Sequence, residues 1–294
     1  METKRASLPI LTSQGWDDYR LLDFGDGRKL ERFGPYLIDR PEEQAMGSAF
    51  LPQGEWSKTD AIFDGDAEDK QGRWRFKGKP VETFPINYDG LAFLGRFTPF
   101  RHMGFFPEQA VHWQWLEKRL RAPFRLLNLF AYTGIASLIA ARAGAEVTHV
   151  DASKKAIAWA RENQERAGLQ EKPIRWLVDD AVAFVRREIR RGNRYDGIIL
   201  DPPKFGRGPK GEEWHLFEDL PQHVADCLQL LSDQASFFIL TAYAIRASAL
   251  SLDALARSLL QARGGTLEAG ELAIAAEKSE RLLSTSLYLR WSAS

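Results

Sequence analysis

The sequence predicts an α/β fold with a Rossmann-like, mostly parallel sheet over residues 101–294, preceded by a small N-terminal antiparallel β-rich domain over 15–100. Three observations predict it. Residues 126–134, 146–151, 176–180 and 197–203 each hold an apolar run that closes on a polar or acidic residue, as strands with carboxyl ends on one cleft do. Helical sequence lies between these runs. Upstream, short β-prone runs alternate with Gly, Asp and Pro, the residues of tight turns.

Taken in order, residues 1–14 read as a loose tail. In the N-terminal domain, 19–24 precedes Gly25-Asp26-Gly27, 29–33 precedes Gly34-Pro35, 61–63 meets Asp64-Gly65, and 73–76 leads to Lys77-Gly78-Lys79. Trp16, Trp56, Trp74, Phe84 and Phe97 supply this domain with large apolar side chains. They form its core, or one or two of them stack on a substrate base. Residues 106–120 read as a helix with Val111, Trp115 and Leu116 on one side. Helices follow at 135–142, 154–167 and 181–191, the last with Val182, Val185 and Ile189 at spacings of three and four. Residues 218–231 place Leu220, Val224, Cys227, Leu228 and Leu231 on one helical face. A fifth strand spans 235–240, a helix 250–261, and 267–275 with 282–291 form a closing strand pair.

The totals narrow the class. Over 294 residues, 40 Lys and Arg balance 40 Asp and Glu, so attraction to an anionic partner must come from local patches. A single cysteine excludes an internal disulfide framework and fits a reducing compartment. The absence of a signal-like start and of long apolar segments makes a soluble cytoplasmic protein, monomer or homodimer, the expectation. His102, His112 and His215 lack metal-ligand spacing, so no metal site is expected.

The strand ends carry the chemistry. Asn128-Leu129-Phe130-Ala131-Tyr132-Thr133-Gly134 passes from a strand into a loop before a helix, with one glycine and not the dinucleotide-binding GxGxxG. Asp151 ends the next strand, where a carboxylate accepts from both ribose hydroxyls; it also suits an N-cap. Asp180 ends the third strand, where an acceptor meets an adenine amino group, and its neighbour Asp179 is not separable from it. No phosphate-cradling loop follows the first strand. The set asks for an adenosine without phosphate. At Asp201-Pro202-Pro203 two prolines stiffen the loop and remove two donors, leaving the Asp201 carboxylate and the Pro202 carbonyl as acceptors. Acceptors suit an N–H on a base.

With Asp201-Pro202-Pro203-Lys204-Phe205 and the strand ends above, the chain resembles the class I S-adenosylmethionine-dependent methyltransferases. More narrowly it resembles the 23S ribosomal RNA large-subunit base methyltransferases with Asp-Pro-Pro-Lys-Phe after the fourth strand. Gly104-Phe105-Phe106-Pro107-Glu108-Gln109 resembles that branch's lead-in, and the likeness covers about residues 85–245. The resemblance implies the class I methyltransferase sheet, with its last strand antiparallel, and S-adenosylmethionine as cofactor. It implies that the loop 130–134 contacts the methionine portion, Asp151 the ribose and Asp180 the adenine. The full cofactor set is then Asn128, Phe130, Ala131, Tyr132, Thr133, Gly134, Asp151, Ala152, Ser153, Asp179, Asp180, Ala181 and Asp201, with Phe106 and Gln109. Asp201, Pro202 and Pro203 form the catalytic loop.

The chain also departs from that branch. Members that methylate C5 of cytosine carry a cysteine nucleophile after the fifth strand, because addition at C6 is what activates C5. Here that strand ends Leu240-Thr241-Ala242-Tyr243, and Cys227 lies on an apolar helix face. A nitrogen acceptor is therefore expected. The separate basic RNA-binding module that often precedes this branch is also not seen. Lys204, Arg207 and Lys210 lie on the cleft side and are the candidate phosphate contacts, while Phe205 stacks on a flipped-out base or packs under the loop. Arg186, Arg187, Arg190, Arg191 and Arg194 read as a solvated helix face. The expectation is a methyltransferase acting on a ribosomal RNA base; the alternative is one acting on a small molecule or protein.

Overall fold

The computed structural model describes residues 7–65, 72–243, 247–260 and 263–293. Of the expected elements, residues 1–6 of the tail and Gln261 at a helix end lie outside the described residues.

Along the chain, β1 (Ile10–Thr12) is followed by β2 (Tyr19–Gly25), β3 (Arg28–Phe33), β4 (Tyr36–Pro41), α1 (Gln53–Trp56), β5 (Ala61–Asp64), β6 (Arg73–Phe76), β7 (Thr83–Tyr88) and β8 (Leu91–Arg96). A 3₁₀ turn, Pro107–Gln109, opens into α2 (Ala110–Glu117). Then come β9 (Arg125–Leu129), α3 (Ile135–Arg142), β10 (Glu146–Asp151), α4 (Lys154–Arg166), β11 (Ile174–Val178), α5 (Ala181–Arg190) and β12 (Gly197–Leu200). The chain closes with β13 (Phe205–Arg207), β14 (Glu213–His215), α6 (Leu216–Gln229), β15 (Phe237–Tyr243), α7 (Ala249–Leu260), β16 (Thr266–Ala275) and β17 (Leu282–Ser292).

The main sheet has the order β1-β16-β17-β15-β12-β9-β10-β11. Strands β9, β10, β11, β12 and β15 are parallel, and β17 runs antiparallel to both β15 and β16. The central strands are covered on both faces, so β12 is buried at all four positions and β9 at four of five. The chain winds outward from β9 through β10 to β11, then returns to β12 on the other side of β9. The carboxyl ends of β9 and β12 therefore flank the switch point at which open α/β sheets bind ligands. One correction falls at the edge. Ile10–Thr12, expected within the tail, pairs in parallel with β16.

The helices between these strands are set by local signals. Ser153 caps α4, its hydroxyl accepting from the Ala156 N–H, and Asp180 caps α5 in the same way through Ala183. α5 buries Ala181, Phe184, Val185 and Glu188, so the apolar face is turned slightly from the Val182, Val185 and Ile189 stripe. α2 differs more. Val111 and Trp115 are only half-buried, and His112, Trp113 and Leu116 form the buried face. The cause is a second neighbour: Trp113 packs edge-on to Trp16 at 5.7 Å and to Tyr88 at 5.1 Å, while Trp115 meets Phe237 at 5.7 Å.

In the N-terminal part, β2 to β6 form a five-stranded sheet, and β7 and β8 a separate hairpin. The sheet is antiparallel except at β4–β5, which pair in parallel across the crossover that contains α1. Trp16, Trp56 and Phe84 are core residues, whereas Trp74 and Phe97 stay half-buried. One apolar cluster runs from Trp16 and Phe33 through Phe105 and Trp113 to Leu126, Ile139 and Phe237. The strands before residue 100 thus share a core with the main sheet. Polar contacts fix the same junction. The fully buried Asp23 accepts from the Leu51 N–H at 2.8 Å, the Trp56 indole at 3.1 Å and the Arg281 guanidinium at 2.7 Å. Among the described residues no helix is long and apolar enough to cross a membrane.

Cys227 lies in α6 with no exposed surface, on the face shared with Leu220, Val224 and Leu228, and its Sγ is 3.8 Å from His223 Nε2. Burial pushes its thiol well up, so it carries no nucleophilic thiolate at neutral pH. Replacing it with serine is expected to leave methyl transfer within a few-fold of wild type and to lower stability by about 1–2 kcal/mol. Thermal unfolding alongside turnover measured well below the melting temperature checks both halves. A covalent adduct with 5-fluorocytidine RNA, lost in Cys227→Ser, would contradict it.

Candidate active site

The cleft opens at the carboxyl end of β9. The loop from Phe130 to Gly134 holds two non-glycine residues in the left-handed region, Phe130 at φ 53° and Tyr132 at φ 48°, with Gly134 at φ 84°. Such backbone costs about 1–3 kcal/mol per residue and persists only where the surroundings over-determine it. Here they do. The Ala131 N–H donates to the Val150 carbonyl at 3.2 Å and the Tyr132 N–H to Asp151 Oδ2 at 2.8 Å. The Thr133 hydroxyl donates to the Gly104 carbonyl, and the Asn163 side chain to the Thr133 carbonyl at 3.0 Å. Gly104 must be glycine, since a Cβ there would lie 2.2 Å from Trp159 in a backbone at φ 94°. At Gly134 a Cβ would press on Ala160 and Trp176 at 3.1 Å, so this glycine serves helix packing.

Asp151 ends β10 half-buried. Its Oδ2 accepts from Tyr132 and its Oδ1 from the Ser153 N–H at 2.8 Å, leaving lone pairs on both oxygens. Burial raises its carboxyl above the ordinary range, and the two N–H groups oppose that rise. Ala152, also half-buried, and the cap Ser153 turn the chain into α4. Opposite Asp151 in register lies Val178, an apolar strand end that is 38% exposed. The two neighbouring acids are now distinct. Asp179 is paired with the Arg187 guanidinium two helical turns away, whereas Asp180 caps α5 by accepting from the Ala183 N–H at 2.7 Å. Burial, with the charges of Glu212 and Asp179, raises the Asp180 carboxyl. Ala181 is buried as the first residue of α5. Arg187 is thereby not part of a solvated face, and Arg191 and Arg186 pair with Glu188 and Asp226.

Asn128 does not reach the cleft with its side chain. That side chain is buried under α3, donating to Ser137 Oγ at 2.9 Å, and Ser137 Oγ lies 3.0 Å from His149 Nδ1. Burial holds the His149 imidazole down to about 3, so this triplet is a neutral polar core.

The second half of the cleft is built at β12. Asp201 follows its last residue, and the Gln109 side chain donates to Asp201 Oδ2 at 3.1 Å and to the Tyr243 hydroxyl at 3.0 Å. Burial, then the charge of the buried Glu108, lifts the Asp201 carboxyl well above the carboxylate range. The Tyr243 hydroxyl is raised by the same burial and the same two acids. Phe106 forms the wall beside them, 4.9 Å from the Tyr243 ring and 6.1 Å from Tyr132. Pro202 is buried and Pro203 exposed. The Pro203 carbonyl accepts from the Trp214 indole at 2.7 Å, which ties the loop to the β13–β14 hairpin. Lys204, Phe205, Arg207 and Lys210 all lie exposed on that hairpin and its approach. Phe205 is 61% exposed, with Lys204 Nζ 5.5 Å above its ring, so it does not pack under the loop. Arg207 pairs loosely with Glu213 at 3.4 Å.

Two members of the site were missed in the sequence. Tyr243 ends the fifth parallel strand, and Glu108 precedes Gln109; the positions were visible, but the contact joins segments far apart in the chain. What the arrangement can hold follows from its acceptors and its apolar walls. A half-buried carboxylate with spare lone pairs suits a vicinal diol, an exposed apolar strand end suits a planar base, and an aromatic wall with buried acids lies beyond them.

A family model for S-adenosylmethionine-dependent methyltransferases matches residues 63–238. The chain belongs to that family. A crystal structure of an S-adenosylmethionine-dependent methyltransferase from Agrobacterium tumefaciens superposes with a TM-score of 0.94 and 50% identity, covering 100% of this chain and 98% of that one. Ribosomal RNA large subunit methyltransferase I of Klebsiella pneumoniae is 28% identical over 208 residues, 65% of this chain and 52% of its own length. The protein of the same name from Aeromonas salmonicida is 35% identical over 127 residues, 43% and 32% of the two chains. The chain thus spans about half or less of the length of these curated relatives. Its family takes S-adenosylmethionine, and the acceptor carboxylate of Asp151 with its spare lone pairs fits the ribose of that molecule.

Proposed function

We propose that this methyltransferase moves a methyl group from S-adenosylmethionine to a base nitrogen of ribosomal RNA. The observation that carries the reading is the Asp201–Gln109–Tyr243 cluster, seated at the switch point across β9 from Asp151. When bound, the cofactor supplies an electrophilic methyl on a sulfonium. Asp151 holds the ribose, Asp180 and Val178 face the adenine, and the Phe130–Gly134 loop takes the methionine end beside Phe106 and Gln109. Asp201, oriented by Gln109, accepts a hydrogen bond from the base and takes the proton that the alkylated nitrogen sheds. Pro202 and Pro203 keep that loop stiff. Lys204, Arg207 and Lys210 meet phosphates, and Phe205 offers a ring to an unstacked base.

RNA is favoured by the names of the relatives and by this exposed basic and aromatic hairpin. Nitrogen is favoured because Tyr243 ends β15 and the buried Cys227 lies in α6. The test is transfer of labelled methyl from S-adenosylmethionine to total RNA of a strain lacking the gene, followed by nucleoside analysis. Label in an N-methylated base of ribosomal RNA is expected. Label confined to protein or to small molecules would overturn the substrate class, and 5-methylcytidine would overturn the acceptor atom.

A further inference from the structure

We infer that an open groove on the N-terminal sheet, outside the methyl-transfer cleft, binds a single-stranded stretch of nucleic acid. The inference rests on the RNA-substrate reading above and adds a second contact surface to it.

The groove holds about 550 Å³ and is floored by Trp74, Phe76 and Phe97, with Pro80 and Pro99 along it. Strand β6 forms the edge of its sheet and reads Arg73-Trp74-Arg75-Phe76. Side chains alternate faces along a strand, so Trp74 and Phe76 fall on one face together. Both rings are half-exposed, where a core pair would be buried. They are also held still. Phe97 packs edge-on to Trp74 at 5.0 Å and to Phe76 at 4.8 Å, and the Trp74 indole donates to the Thr98 carbonyl at 2.7 Å. Rigid, half-exposed rings offer unpaired bases a stacking surface that needs little ordering.

Charge selects the occupant. Arg73 lines the groove, and Lys77 and Lys79 stand exposed in the turn between the groove residues Phe76 and Pro80. Among the described residues, Glu82 is the one acidic residue that lines it. Three cations around an aromatic floor, in a chain with no net charge, complement a phosphate backbone whose bases lie on the rings. A duplex hides its base faces and gains nothing from such a floor. Position adds to this. The groove residue Pro99 is seven residues from Phe106 in the cleft wall, so the two lie at most about 25 Å apart along the chain. His102, on that connection, lies 5.2 Å from the Phe106 ring. One strand can occupy the groove while a nearby base enters the cleft.

The test uses the whole protein and two probes, a fluorescein-labelled 16-nucleotide oligouridine and an RNA duplex of the same length. Wild type, Lys77→Glu/Lys79→Glu and Phe76→Ala are compared by anisotropy, and again by methyl transfer to the RNA above. Unchanged binding of S-adenosylhomocysteine shows that each variant is folded, and the charge reversals sit on an exposed turn. The expected result is preference for the single strand, at least ten-fold weaker binding in the double variant, and a salt dependence shallower by about 0.7 in log–log slope per lost phosphate contact. KM for RNA should rise with kcat little changed. If both variants bind oligouridine and methylate RNA as wild type does, the groove is not the site and the RNA reading stands. If wild type methylates no RNA, that reading falls and the groove assignment falls with it.

Discussion

Replacing Asp201 with alanine is expected to lower methyl transfer by about a hundred- to ten-thousand-fold, the range of a lost general base, with cofactor affinity close to wild type. Asp201 lies at the end of β12, bonded by Gln109 and separated from the carboxylate of Asp151 by the strand β9 that runs between β12 and β10. Its carboxyl is raised by burial and by Glu108, so it binds a proton more tightly than an exposed aspartate. The rate should therefore fall as pH is lowered through this raised value, and that limb should vanish in Asp201→Asn. The sign for stability is opposite. A raised folded-state pKa contributes stability below the unfolded value and loses it as pH rises through the folded one. Asp201→Ala should then melt no lower than wild type near neutral pH, which separates lost chemistry from lost fold. A single-turnover rate near wild type with saturating RNA would leave Asp201 only a structural part.

Asp151→Ala is expected to weaken binding of S-adenosylmethionine and S-adenosylhomocysteine by roughly ten- to several-hundred-fold, about 1.4–3.5 kcal/mol. Two ribose hydroxyls on one carboxylate make charge-assisted bonds, and the same carboxylate holds the Tyr132 and Ser153 N–H groups. Tyr132 sits at φ 48°, so the loop loses the bond that offsets its backbone strain. Titration calorimetry with S-adenosylhomocysteine measures the loss. Unchanged affinity would remove Asp151 from the site.

What the sequence showed and what it hid follow from the range of the interactions. Strands β9, β10, β11 and β12 were legible because buried parallel strands are apolar runs stopped by polar residues, and each stop lies on the same side of the sheet. Asp151 and Asp201 were legible for that reason. β1 was not: three residues, two of them with large exposed or half-exposed side chains, pair with a strand near the other end of the chain. β4 was hidden by Asp39, Arg40 and Pro41: Arg40 is buried against Glu31, and the half-buried Asp39 pairs with Arg28, both partners lying in β3. The parallel β4–β5 pair depends on the crossover through α1, which leaves no periodic signal. Within the site, the direction of Asn128 is set by Ser137 in the first turn of α3, and Asp179 is distinguished from Asp180 by its pair with Arg187 and by the Asp180 cap on Ala183. Glu108, Gln109, Asp201 and Tyr243 come from three segments that only the folded sheet brings together.

The most direct measurement of the central claim is a crystal structure of this protein with S-adenosylhomocysteine. The account predicts both ribose hydroxyls within hydrogen-bonding distance of the Asp151 carboxylate, the adenine against Val178 and Asp180, and the sulfur turned toward Gln109 and Asp201. A ribose bound elsewhere, or a sulfur directed away from Asp201, would contradict it.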